Sequence, residues 1–358
     1  MVNQPVREER LVKALRMIAP GTVIRDAIDN IVRSRHGALL VFAQEEKIRP
    51  MISGGIDINA AVTPMILYEL CKMDGAVLLD AEGARILHAN VQLMPDARIE
   101  SQETGTRHRT AERVAKQIDT LAISISAARD VVTVYVGDIR HIMDPIRTIL
   151  DKADQALQTL EKFRTRWNQV SASLSLLEFQ NAVTLHDVLR VLQRAEMMLV
   201  IVQLIEGYLI QLGTEGRLVQ LQLEDMLVNL REDRTAILAD YLPDATPARI
   251  ESAGALLGPV PSDDLLSLSY LGAALGFGPD AALDEQVRPR GFRLLHKIPR
   301  LSVGVIDAVV SHFGDLNHLI ESPVDELAAV PGVGFPRARD IKDGLNRIYE
   351  TTLLERRG

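Results

Sequence analysis

The sequence changes character once, near residue 143, and that change limits the fold more than any single motif. Before it, apolar runs at 38–42, 76–79, 121–125 and 131–136 read as buried or half-buried strands. Helix-like stretches at 7–18, 23–33, 63–72 and 110–117 lie between them. Strands interleaved with helices predict an α/β domain whose sheet is covered. After residue 143 strand character is lost. Ile146, Ile149, Leu150, Ala153, Leu157 and Leu160 recur at threes and fours, with Lys152, Asp154, Gln155 and Gln158 on the wet side, as in an amphipathic helix. Similar patterns occupy 183–206, 218–230 and 236–241, with a turn at 213–216 and a Pro-, Gly- and Ala-rich loop at 243–261. The apolar stripe is broad and no long heptad persists, which favours a helical bundle acting as a spacer over a coiled coil. The predicted organisation is an α/β domain over 1–143, an all-α spacer over 144–285 and a compact all-α domain over 286–358.

Composition narrows the setting. A chain of 358 residues with 47% hydrophobic and 25% charged residues is a globular protein with room for two or three domains. Aromatics at 4% exclude an extensive base-stacking surface. Cys71 is the one cysteine, so no intramolecular disulfide forms, and its apolar neighbours predict a buried structural thiol. The first ten residues are polar and charged, without a signal-peptide core. The most apolar window, 197–212, is interrupted by Gln203 and Glu206 and reads as too short to span a bilayer. A cytoplasmic protein with no membrane partner is expected. The net charge of -8 is uneven: residues 286–358 hold 11 Lys+Arg against 9 Asp+Glu, +2, leaving -10 for the rest. The C-terminal segment is therefore the part that tolerates a phosphate backbone.

The chemistry concentrates in Gly105-Thr106-Arg107-His108-Arg109-Thr110, immediately before the helix-like Ala111-Glu112-Arg113-Val114. A helix N-terminus offers unpaired N–H groups to anions, and guanidiniums supply forked donors for phosphate oxygens. A polyphosphate site is one reading. The other is a plain helix start with Thr110 as N-cap, Glu112 favouring the dipole, and solvated arginines. Asp74-Gly75-Ala76, some thirty residues upstream, joins this segment to a known pattern. Together with Arg107-His108-Arg109, and with Leu70-Cys71-Lys72-Met73 and Ala89-Asn90-Val91-Gln92-Leu93 around them, it resembles the diadenylate cyclase domain family, whose signatures are DGA and RHR.

A second motif lies at 327–341. Val330-Pro331-Gly332-Val333-Gly334 between two helix-like stretches reads as a helix-hairpin-helix, in which glycines let the backbone approach a phosphate. Gly332, Gly334, Arg337, Arg339 and Lys342 are the candidate DNA contacts. Residues 298–313 resemble a degenerate upstream copy. A tight helix–helix turn without any nucleic acid is the alternative.

The order of the three segments resembles the DNA-integrity scanning family of diadenylate cyclases over the whole chain. That resemblance implies a twisted mixed sheet flanked by helices in the first domain. It implies synthesis of cyclic di-AMP from two ATP molecules across two facing domains, in a homo-oligomer, an octamer in the family. It gives Asp74 to the ribose 3′-hydroxyl and to Mg²⁺ or Mn²⁺, and Arg107, His108 and Arg109 to the phosphates. Gly75, Ala76, Leu93, Thr106, Thr110, Ser126 and Arg129 are further nucleotide-binding candidates. The 126–129 stretch, Ser-Ala-Ala-Arg, is poorer in charge than the family often is there, leaving Arg129 as its one cation. The contrasting expectation is a non-catalytic scaffold that binds DNA structure and senses ATP or a cyclic dinucleotide. No Walker A loop, GxGxxG or zinc-spaced cluster occurs, which disfavours a P-loop ATPase, a Rossmann oxidoreductase and a zinc site.

Overall fold

The computed structural model describes residues 4–126, 131–258, 267–278 and 282–355. They fall into two compact units, Met1–Asp154 with Glu206–Gln220, and Gln155–Ile205 with Leu221–Gly358. In the first, α1 (Gln4–Met17), α2 (Val23–Arg33), β1 (Ala38–Phe42) and α3 (Glu45–Ile48) precede β2 (Ile52–Ser53), β3 (Ile56–Ala61) and α4 (Pro64–Leu70). β4 (Ala76–Leu79), β5 (Arg85–Leu93), α5 (Thr106–Ile118), β6 (Leu121–Ser126), β7 (Val131–Val136) and β8 (Ile139–Ile142) complete it. The sheet order is β2-β5-β4-β1-β6-β7-β8, with β3 also on β5. β1 and β4 are parallel and their neighbours antiparallel, so the sheet is mixed as expected.

Both faces of the central strands are covered, which is why they read as unbroken apolar runs. Leu40, Phe42, Ile123 and Ile125 join Ile18, Ile28 and Ile31 on one face. Leu39, Val41, Leu78, Ala122 and Tyr135 meet Ala111, Val114 and Ala115 of α5 on the other. Cys71 lies in the first of these cores, and burial pushes its thiol up to about 12, the inert structural group expected. β2, β3, β5 and β8 escaped the sequence reading because polar residues interrupt each of them. Helix α5 begins four residues earlier than predicted: Gly105 is its N-cap, in extended conformation, and Thr110 lies inside the helix. Thr110 is therefore not the cap.

In the second unit, α6 (Ile146–Phe179) enters from the first, and α7 (Leu185–Leu212) returns to it. α8 (Arg217–Leu227), α9 (Leu230–Tyr241), α10 (Pro247–Leu257) and α11 (Leu268–Leu275) follow. α12 (Phe292–His296), α13 (Val303–Phe313), α14 (Leu316–Glu321), α15 (Val324–Ala328) and α16 (Gly334–Glu355) close the chain. Helix α6 runs well past the Ile146–Leu160 stripe because nothing stops it before Asn181, which takes a left-handed φ of 50°. Part of the loop expected at 243–261 is α10, started by Pro247 and by Thr246, whose side chain accepts from the Arg249 N–H.

The apolar window read as too short for a bilayer sits in a longer helical run, 185–241, that is long and apolar enough to cross one by length and composition. Within it, Val188, Leu192, Ala195, Met198 and Val202 are buried, and the buried Glu196 pairs with Arg234.

Candidate active site

Strand register gathers the first motif at one edge of the sheet. Leu40 lies opposite Val77, and Ala38 opposite Ile125. Carried beyond the strand ends, these registers bring Gly37, Asp74 and Ser126 level with one another. Asn90 of β5 joins the same edge through its side chain, which meets Gly75. Gly75 must be glycine there: a Cβ would lie 2.3 Å from the Asn90 carbonyl carbon and 2.6 Å from the Val91 nitrogen. Its N–H donates to Asn90 Oδ1 at 3.1 Å, and Asn90 holds a left-handed φ of 54°. Gly75→Ala is expected to lower stability by about 1–3 kcal/mol by pushing β4 and β5 apart. An unchanged thermal midpoint would refute the packing argument.

Asp74 itself is exposed and makes no hydrogen bond or ion pair within the described residues. Arg107 reaches the same edge from α5. A Cβ on Gly37 would lie 2.4 Å from Arg107 Nη1 and 3.3 Å from the Ile125 carbonyl oxygen. Gly37 was missed in the sequence, where its only signal is a glycine directly before an apolar run. Gly105 provides no side-chain cap, and Thr106 is exposed in the first turn of α5, so no side chain caps the first-turn amides.

The remaining candidates divide. Arg109 is exposed; its Nε and Nη2 donate to the Glu103 and Thr104 carbonyl oxygens at 3.3 and 3.2 Å, holding the loop that precedes α5. Ala76 and Leu93, at 3% and 7% exposure, are core residues of the sheet face under α5, so only their backbone can meet a ligand. Thr110 is half-buried and Ser126 ends β6. Arg129 lies outside the described residues.

His108 is tied into a chain of polar groups that sequence spacing does not reveal. The Tyr135 hydroxyl donates to Glu103 Oε1 at 2.8 Å, and Arg140 Nε donates to the same oxygen at 2.5 Å. With its single proton committed to Glu103, Tyr135 Oη accepts from His108 Nδ1, 3.0 Å away. This fixes the imidazole tautomer with the proton on Nδ1. Burial works to raise the Glu103 carboxyl, but the Arg140 and Tyr135 hydrogen bonds outweigh it and hold it below the usual carboxylate range. Burial and Glu103 both push the Tyr135 phenol up, so it keeps its proton.

In the second unit, α15 and α16 flank a turn in which Gly332 and Gly334 have φ of 85° and 62°. Both glycines are exposed, and open space lies beside Gly332. Arg337 Nη1 donates to the Gly332 carbonyl oxygen at 2.7 Å, and Arg339 is exposed. Lys342 is not placed as its sequence position suggested. Its ammonium donates to the carbonyl oxygens of Leu319 and Ile320, at 2.8 and 2.9 Å, so it caps the end of α14.

A glycine-lined sheet edge, a helix start with no side-chain cap, and a guanidinium and an unpaired carboxylate brought to that edge define the class of an α/β nucleotide-binding domain. The family model described as "DisA bacterial checkpoint controller nucleotide-binding" matches residues 25–139. Its companion, "DisA bacterial checkpoint controller linker region", matches residues 143–283. The proteins called "DNA integrity scanning protein DisA" from Clostridium perfringens and Carboxydothermus hydrogenoformans are 42% and 45% identical to this chain. The alignments cover 98% and 97% of it, and 99% of each relative. The Bacillus subtilis protein of the same name is 43% identical over 96% of this chain and 95% of its own. The chain belongs to the DisA family and is a diadenylate cyclase.

Proposed function

We propose that two copies of the N-terminal domain face each other, each bringing one ATP, and that the chain couples this cyclisation to DNA structure through its C-terminal helix-hairpin-helix. In each half-reaction a ribose 3′-oxygen attacks the α-phosphorus of the opposite ATP. The new P–O bond forms as the bond to pyrophosphate breaks, and the hydroxyl proton passes to the Asp74 carboxylate. One domain cannot set an ATP against itself in this geometry, so proximity across the pair carries much of the rate. The observation that supports this reading is the exposed sheet edge where Asp74-Gly75 and Arg107 converge. It holds one carboxylate for a hydroxyl and one cationic cradle for phosphate, and stands open to a second copy.

Asp74 orients the incoming 3′-hydroxyl. Arg107, with the first-turn amides of α5, takes the charge that develops on the α-phosphoryl group and pyrophosphate. His108 and Arg109 complete the phosphate side, and Thr106, Thr110 and Ser126 supply hydroxyls. No group of three potential metal ligands occurs among the described residues. A single exposed carboxylate nonetheless suits Mg²⁺ or Mn²⁺, which keep waters and bind largely through substrate phosphates. The ion, when bound, supplies neutralising charge for the triphosphate. The oligomer is proposed to be the octamer of the resemblance.

The DNA half rests on Gly332 and Gly334 presenting backbone to open space at the start of α16, with Arg337 and Arg339 exposed beside them. Such backbone-directed binding is salt-dependent and indifferent to base sequence. Mass spectrometry of ATP incubations with Mg²⁺ or Mn²⁺, with and without Holliday-junction DNA, tests both halves. Cyclic di-AMP is expected from protein and ATP alone, with lower output when the junction is present. No product under either ion, from protein shown to be oligomeric, would favour a sensing scaffold. Equal turnover with and without the junction would remove the coupling.

Tyr135→Phe tests the orientation of His108. It removes the acceptor for Nδ1 and one donor to Glu103 while leaving the ring in the core. We expect kcat to fall about tenfold with KM for ATP within about twofold, since the lost hydrogen bond acts on the reacting geometry more than on binding. A rise in KM alone would assign the chain of polar groups to nucleotide affinity instead.

A further inference from the structure

A cavity lies in the second unit, away from every residue assigned to nucleotide cyclisation. Its volume is about 970 Å³, within the range that encloses a small organic ligand. Four helical regions build it: the middle of α6, the start of α9, the turn after α12, and the second half of α16. Three cations from three of these regions converge on it: Arg164 from α6, Lys297 from the end of α12, and Arg347 from α16. Asp233 is the one carboxylate in its lining. An excess of cations converging in a chain of net charge -8 is a local arrangement that composition does not produce.

The cations differ in how far the fold uses them. Arg164 donates to the Met226 and Val228 carbonyl oxygens, which fixes the α8–α9 junction as one wall. Arg347 is exposed on α16 and has no partner among the described residues. The floor is hydroxyl-bearing: Ser171, Ser175 and Thr352 are 5%, 1% and 7% exposed. Beside these polar groups stands Trp167, 4% exposed, with the Arg164 guanidinium 5.6 Å from its ring centroid. The Trp167 Nε1–H is buried and has no acceptor among the described residues. A buried indole N–H without an acceptor is costly.

We propose that this cavity binds a small phosphorylated molecule carrying a planar ring, a nucleoside monophosphate in chemical class. The phosphate would sit against the forked donors of Arg347, with Lys297 and Arg164, both already engaged by the fold, adding positive charge beside it. The ring would lie against the apolar wall that Trp167 forms with Ile298 and Ile348. With Arg164 held in the wall, the Trp167 N–H would gain its acceptor from the ligand. Because Ile298 opens the upstream helix-hairpin-helix and α16 closes the downstream one, an occupant would lock the paired hairpins to the spacer helix α6.

Trp167 is the single tryptophan of the chain, so its fluorescence reports this cavity alone. The full chain is titrated with AMP and, in a parallel arm, with inorganic pyrophosphate, each at constant ionic strength made up with chloride. The expected result is a saturable change in Trp167 emission with AMP, with pyrophosphate binding at least about tenfold more weakly for want of the ring. Arg347→Glu, a surface change with cyclase turnover retained as the check on folding, is expected to weaken the AMP response by about tenfold or more. Lys297→Gln is the second variant and should weaken it in the same direction. Equal responses to AMP and pyrophosphate would overturn the ring component. No saturable change with either probe, or a change untouched by both substitutions, would overturn the site.

Discussion

Asp74→Asn is expected to end cyclic di-AMP production, lowering turnover by about three orders of magnitude or more, while leaving the fold and DNA affinity at wild-type values. The size of the first effect follows from chemistry. The neutral amide cannot accept the 3′-hydroxyl proton or balance the triphosphate, and both roles are needed as the new bond forms. The absence of the second effect follows from structure. The carboxylate is exposed and makes no bond within the described residues, so an isosteric amide disturbs no packing. Substitutions of that kind stay within about 0.5 kcal/mol. Gly75→Ala provides the contrast, since it removes no charge and places a Cβ against the Asn90 backbone. Product mass spectrometry beside thermal unfolding separates the two variants. Cyclic di-AMP from Asp74→Asn above about one per cent of the wild-type rate would remove Asp74 from the chemistry.

The same contrast explains what could be read before the structure. Asp74, Gly75 and Arg107 could be singled out in the sequence because short motifs carry their chemistry in adjacent residues. The sheet was legible where both faces are buried, since β1, β4, β6 and β7 have no polar residue facing solvent to blur the run. It was illegible in β5, where His88, Asn90 and Gln92 interleave with Ala89, Val91 and Leu93, and in the bulged β3. Glu103, Tyr135 and Arg140 are 32 and 37 residues apart in sequence and meet only when β7 and β8 are laid beside α5. Lys342 shows the reverse error. Its position on α16 suggested phosphate, but the helix rotation turns it toward the carbonyl oxygens of α14, and no local pattern encodes that. Charge near a motif predicts a contact only when the fold does not need the charge elsewhere.

Arg293 is the extreme case, and its replacement is expected to have the largest effect on stability in the chain. The guanidinium is fully buried, pairs with the equally buried Glu178 of α6, and donates to Ser171 and Ser175 Oγ at 3.2 and 2.8 Å. Tyr241 Oη donates to the same Glu178 carboxylate at 2.8 Å. From α9, Asp240 accepts the backbone N–H groups of Gly291, Phe292 and Arg293 at 2.7, 2.7 and 2.9 Å, so a neighbouring helix supplies the cap of α12. Burial works against the Arg293 charge, but Glu178 outweighs it and holds the guanidinium protonated. Burial and the Glu178 charge push the Asp240 carboxyl up, against the N–H donors that hold it down. Removing one partner strands the other in the interior, a loss of about 3–5 kcal/mol. Arg293→Met, which keeps most of the volume, should therefore lower the thermal midpoint by roughly 10 °C, read by calorimetry. Adding Glu178→Met should restore much of that loss, because replacing a whole buried pair by apolar groups is often near neutral. If Arg293→Met unfolds at the wild-type temperature, or the second change deepens the loss, the pair does not hold α12 to α6 in the way the geometry requires.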